Sequence, residues 1–106
     1  MSNTSTYHIK AVGVTFGDRQ RVIRNLHVGQ PLRFVAEPNN PYDSNAVRIE
    51  TLDGKQVGYI SKDYNQTYSY NLQKGLVTYK AVVSSITGGG FGTSYGLNIE
   101  VTAIGK

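Results

Sequence analysis

Cysteine is absent from the 106 residues. Its absence excludes disulfides, iron–sulfur clusters and cysteine-based zinc sites, and it fits a reducing cytoplasm, the compartment we expect. Histidine is scarce too. His8 and His27 stand apart with no ligand spacing, so no metal centre and no cofactor is expected. Long apolar runs are missing: none approaches the ~20 residues that span a bilayer. The opening residues Met1 to Thr6 lack the basic-then-apolar order of a secretory signal. No membrane association is expected, and residues 1–7 read as a disordered tail ahead of one domain over 8–106. The chain has no Gly-x-x-x-x-Gly-Lys-Ser/Thr loop, so ATP hydrolysis has no motif to rest on. No serine or threonine has an evident histidine base. Asp43, Asp53, Asp63 and Glu37 are carboxylates without a catalytic spacing, which leaves a nuclease-like reading weakest and a binding module preferred.

What is present leans towards β structure. Tyrosine occurs 8 times and glycine 12 times, 39% of residues are hydrophobic, and only 17% are charged. Lys and Arg number 11 against 7 Asp and Glu, a net charge of +4 that is compatible with phosphate-bearing partners. His8 to Phe16 reads as a first strand bent at Gly13. Arg19 to Leu26 follows, with Val22, Ile23 and Leu26 at helix-like spacing; it is either a short solvated connector or a basic rim. Leu32, Phe34 and Ala36 alternate in the next strand, and Val47 and Ile49 point inward after it, with Arg48 and Glu50 outward. Asp53-Gly54 marks a hairpin returning through Lys55 to Ile60. Ser61 and Asp63 look like a helix start, Tyr64, Tyr68 and Leu72 form its apolar stripe, and Gly75 ends it. Two long strands close the chain around the loop Gly88 to Ser94, which carries one aromatic, Phe91. No βαβ repetition occurs. The expectation is a mostly β domain: a small six-stranded antiparallel barrel, OB-like or SH3-like, with one or two short helices.

The stretch around which the chain is organised is Glu37-Pro38-Asn39-Asn40-Pro41-Tyr42-Asp43-Ser44-Asn45-Ala46. Two prolines fix the backbone, and the asparagines and Asp43 can bond to nearby main chain. It is a rigid loop showing an aromatic beside a carboxylate. Such a loop suits a small polar ligand, or it buttresses a corner. Phe16, near Arg19 and Arg21, and Lys62, at the expected helix start, would make an aromatic and basic groove if the fold brings them to Tyr42.

Several of these runs together resemble the HIRAN domain. They are Val12-Gly13-Val14-Thr15-Phe16, Gly29-Gln30-Pro31-Leu32, the loop Glu37 to Val47, Gly54-Lys55-Gln56-Val57-Gly58-Tyr59-Ile60, and Lys62. The resemblance covers about residues 8 to 104. It implies an OB-like barrel, found as an accessory module of Swi/Snf-type helicases in DNA repair or as a short free-standing bacterial or phage protein; this chain resembles the latter. By that resemblance the partner is the 3′ end of single-stranded DNA, in a repair or replication-fork setting with possible helicase or repair proteins nearby. Tyr42 would pack on the last nucleotide, Asp43 would accept from the 3′-hydroxyl, Asn40 would shape the loop, and Lys62 would meet a phosphate. Where the DNA-binding member of the family has a basic residue and two tyrosines, this chain has Thr15-Phe16-Gly17. Phe16 is then the remaining stacking platform, and Arg19 or Arg21 is the replacement charge. The competing expectation is a protein-interaction module in which Asp43 merely caps its own loop.

Overall fold

The computed structural model describes residues 3–106. Six strands run β1 (Asn3–Lys10), β2 (Pro31–Ala36), β3 (Val47–Thr51), β4 (Gln56–Tyr59), β5 (Val77–Gly88) and β6 (Tyr95–Gly105). Two helices interrupt them, α1 (Arg19–Arg24) and α2 (Asn65–Lys74). The sheet order is β1-β6-β5-β2-β3-β4, and every neighbouring pair is antiparallel. The β2–β5 ladder is short, with Pro31 opposite Val82 and Leu32 opposite Ala81. The sheet is thus two three-stranded halves hinged along one brief seam. Irregularities at Val83/Ser85 and Ile49/Glu50 bend the strands, as bulges do.

A mostly β, six-stranded antiparallel architecture with two short helices is what the chain forms, but the sheet does not close into a barrel. Its two ends meet at one isolated bridge, Val12 to Tyr59, made by two main-chain hydrogen bonds of 2.9 Å. Gly58 permits this approach. A Cβ on it would lie 2.6 Å from the Val12 carbonyl oxygen, inside any tolerable contact. The first strand also sits earlier than its pattern predicts. Asn3 to Tyr7 pair with Gly105 to Val101 in β1, where the sequence reads as a tail, and Met1 and Ser2 lie outside the described residues. Polar Asn-Thr-Ser-Thr carries no apolar alternation, so only its pairing with β6 makes it a strand. Phe16, in turn, lies in the turn before α1 and not at a strand end.

The core lies between the two halves. Leu32, Phe34, Val47, Ile49 and Val57 meet Ala81, Val83, Leu97, Ile99 and Val101, with Ile23 of α1 and Ile60 beneath. Each such side chain contributes about 1.5–3 kcal/mol on leaving water. α1 packs on β4 and β6, while α2 covers β2, β3 and β5. Ten residues rich in Asn, Gln, Ser and Tyr would not hold a helix alone. Tyr68 supplies the anchor. It is buried, meets Phe34 edge-on at 5.7 Å and Tyr79 at 4.7 Å, and hydrogen-bonds Tyr7 at 2.5 Å. Leu72 packs partly on the same core, while Tyr64 stays more exposed.

Two local expectations are overturned. α2 is capped at Tyr64 with no side-chain cap bond and no acid in its first turn. Ser61 instead accepts from the Asp63 amide in the preceding turn. Glu50 is not outward but buried, 6% exposed, because two arginines neutralise it: Arg33 at 2.6 Å and Arg48 at 2.9 Å.

Candidate nucleic-acid interface

The organising loop leaves β2 at Glu37 and returns to β3 at Ala46, closed by the Glu37 amide donating to the Ala46 carbonyl at 2.9 Å. Asn40 shapes its first half. Its side-chain carbonyl accepts from the amides of Tyr42 at 2.9 Å and Asp43 at 3.1 Å, and its NH2 donates to Glu37 Oε1 at 2.9 Å. Asp43 shapes the second half. Oδ1 accepts from the Asn45 amide at 2.8 Å, and Oδ2 accepts from Asn65 Nδ2 at 2.9 Å. With its backbone pinned, the Tyr42 side chain stands almost free in solvent, 92% exposed. The Asp43 carboxyl is held below the usual carboxylate range by the Asn45 amide first, then Asn65 and the nearby positive charge of Lys62.

Glu37 ties this loop to the sheet. Its two oxygens accept from Asn40, from the Tyr59 hydroxyl at 2.9 Å and from Arg48 at 2.6 Å. Burial pushes its carboxyl up, but the bonds from Asn40, Tyr59 and Arg48 outweigh that and lower it. Arg48 also holds Glu50, so Arg33, Glu50, Arg48 and Glu37 form one chain of ion pairs beneath the loop.

The Tyr59 ring continues the connection to the other end of the candidate site. The Arg19 guanidinium lies 5.3 Å from its centre and 5.6 Å from that of Phe16, and donates to the Gly13 carbonyl at 2.5 Å. Gly13 adopts φ +64°, which turns that carbonyl outward to the arginine. Phe16, Arg19, Tyr59, Glu37, Asn40 and the Tyr42–Asp43 corner are therefore one run of contacts. Phe16 is 66% exposed and lines an open groove of about 650 Å³ between α1 and the β3–β4 hairpin, together with Arg19, Arg21, Lys55 and Gln56.

Of the residues singled out from the sequence, Asn40, Tyr42 and Asp43 share the loop, with Lys62 close enough to act on Asp43 through its charge. Phe16 and Arg19 join them through Tyr59. Arg21 does not join them; it pairs with Asp18 at 2.6 Å and faces the groove. Tyr59, Arg48 and Asn65 were not singled out. Tyr59 had a signal in the Val-Gly-Tyr-Ile run. Asn65 had none, because its partner lies 22 residues away.

A curled antiparallel sheet bearing a pinned loop with an exposed aromatic and a carboxylate defines a small OB-like domain. Residues 5–103 match the HIRAN domain, and the chain belongs to that family. It is 33% identical over 70 residues to rabbit (Oryctolagus cuniculus) helicase-like transcription factor, covering 66% of this chain and 7% of that protein. The human protein of that name is 36% identical over 47 residues, 44% of this chain and 5% of its own length. The chain thus spans a small fraction of these relatives. Among solved structures, the crystal structure of the HIRAN domain of human HLTF superposes with TM-score 0.74 at 23% identity, covering 99% of this chain and 80% of that one. A Lactobacillus plantarum protein superposes with TM-score 0.77 at 20% identity over the full length of both chains. The HLTF HIRAN domain in its DNA-bound conformation gives TM-score 0.64 at 23% identity over 95% of this chain and 75% of that one. At these identities the structures establish a common fold.

Proposed function

We propose that this chain binds single-stranded nucleic acid and reads the free 3′-hydroxyl end of a DNA strand, beside helicase or repair proteins that work at such ends. The observation that carries the reading is the Tyr42–Asp43 corner: a solvent-facing ring on a backbone fixed by Asn40, next to a carboxylate fixed by Asn65. Each Asp43 oxygen accepts one protein donor, which leaves it further acceptor capacity for a hydroxyl. Tyr42 and Phe16 supply the faces on which bases stack, at about 1–3 kcal/mol each, and Arg19 and Lys62 supply charge. The DNA-bound conformation of a related HIRAN domain supports the same choice of ligand.

The test compares labelled oligonucleotides ending in a 3′-hydroxyl with the same strands ending in a 3′-phosphate. The hydroxyl strand binds more tightly, the preference vanishes in Asp43→Ala, Phe16→Ala weakens both, and binding falls with salt. Equal affinity for the two ends in the unmodified protein sinks the end-reading part. The second reading is a protein-interaction module with a purely structural loop. It is favoured by the fact that both Asp43 oxygens are already engaged within the protein. Tyr42→Ala separates the two: a variant that melts like the parent but loses DNA rejects the structural reading.

A further inference from the structure

We propose that a bound strand runs on from the Tyr42 end across α1, where Arg24 meets a phosphate and Phe91 provides a second stacking platform. This rests on the strand-end reading and extends it to the nucleotides preceding the terminal one.

Phe91 sits in the glycine-rich loop joining β5 to β6 and is fully exposed. A lone exposed phenylalanine is ordinary. The Phe91 neighbours Gly90 and Gly92, with Thr93, Ser94 and Tyr95, line a second groove of about 410 Å³ against Gln20, Arg21 and Arg24 of α1, while the Phe91 ring itself stands outside that lining. No carboxylate lines that groove. Arg24 has no ion-pair partner among the described residues, whereas Arg21 and Arg33 each have one and Arg48 has two. The base of the loop is tied to the helix. The Gln20 carboxamide donates to the Val14 and Tyr95 carbonyls at 2.9 and 3.0 Å and accepts from the Tyr95 amide at 2.7 Å. One side chain thus locks the hairpin's base to α1 and to the turn that carries Phe16.

Arg21 lines both grooves, which places them on either side of one α1 side chain. The path has an exposed aromatic at each end, Phe16 and Phe91, and arginines 19, 21 and 24 between them, with Arg21 paired to Asp18, and with Asp53 also on the wall of the first groove. Aromatic faces interleaved with guanidinium groups bind single strands without regard to base, and a duplex has no unpaired base to stack on such rings. Phe91 in this way supplies a second exposed ring besides Phe16.

The test uses dye-labelled oligothymidylates with a free 3′-hydroxyl, about 3 and about 12 nucleotides long, spanning the site sizes of OB-like domains. The unmodified protein binds the longer strand about tenfold or more tighter. Phe91→Ala loses about tenfold on the longer strand and nothing on the shorter. Arg24→Gln lowers the log–log salt slope by about 0.7 on the longer strand alone. Tyr42→Ala weakens both lengths. Equal affinity for the two lengths, or unchanged binding of the longer strand by both Phe91→Ala and Arg24→Gln, overturns the inference and leaves the end reading standing. Dependence on Phe91 and Arg24 with none on Tyr42 or the 3′-hydroxyl upholds the path across α1 and overturns the end reading. Failure of every strand to bind overturns both.

Discussion

Asn65 donates its side-chain N–H to Asp43 Oδ2 at 2.9 Å across 22 residues of chain. Asn65 opens α2 and is buried, so this bond fixes the organising loop to a helix and satisfies a donor that water cannot reach. Asp43→Ala strands that donor and the Asn45 amide together. We expect a loss of about 1–3 kcal/mol, read as a lower denaturation midpoint. Tyr42→Ala, one residue away but solvent-facing, stays within about 0.5 kcal/mol of the parent in the same measurement.

Tyr59 joins two kinds of contact in one side chain, its hydroxyl on Glu37 and its ring beneath Arg19. Tyr59→Phe removes the first and keeps the second. Stability falls by about 1 kcal/mol. A double-mutant cycle with Glu37→Gln gives a coupling of about 0.5 kcal/mol or more; a cycle that closes to zero shows the bond contributes nothing.

Acid acts on Glu37, Asp43 and Glu50, whose folded carboxyls all titrate below their ordinary values of 4.5, 3.8 and 4.5. For Glu50, burial raises the value and the bonds from Arg33 and Arg48 more than reverse it. Across this window the unfolded chain binds more protons than the folded one, so stability rises with pH there. It is fully present above about pH 5 and drains away as the pH drops through the ordinary values towards the folded ones. Urea midpoints measured from about pH 7 down to about pH 3 show the decline, and Glu50→Gln makes it shallower.

Gly58→Ala forces a methyl group to within 2.6 Å of the Val12 carbonyl oxygen. Overpacking of this kind costs about 1–3 kcal/mol. The damage is local, so hydrogen exchange accelerates first at the amides of Val12 and Tyr59, with the β5–β6 amides keeping their protection.

Much of this fold could be read from alternation and turn chemistry. Leu32 and Phe34, Val47 and Ile49, the Asp53-Gly54 hairpin and the Gly75 stop all lie where the pattern puts them. The failures share a cause. Asn3 to Thr6 is polar and becomes a strand only through its partner β6. Glu50 breaks the alternation rule because Arg33 and Arg48 are there to neutralise it, and neither spacing announces that they converge. The helix starts at Asn65, after a turn closed by the Tyr64 amide on the Ser61 carbonyl, and Asn65 bonds Asp43, a contact local propensity does not contain. The geometry of the candidate site was legible only in its loop. The loop's rigidity follows from Pro38, Pro41 and Asn40, whereas the link from Phe16 through Arg19 and Tyr59 to Glu37 exists only in three dimensions.

Val12 and Tyr59 are the sole rivet between the two ends of the sheet among the described residues. Tyr59 is also the joint through which Arg19 reaches Glu37. On the proposed strand-end reading, a guest lying from Phe16 to Tyr42 crosses this single bridge and clamps it. Occupancy then registers as slowed amide exchange at Val12 and Tyr59, far beyond any slowing in β5 or β6. On that reading the domain carries its own gauge: the looseness of one residue pair would report whether a strand is held.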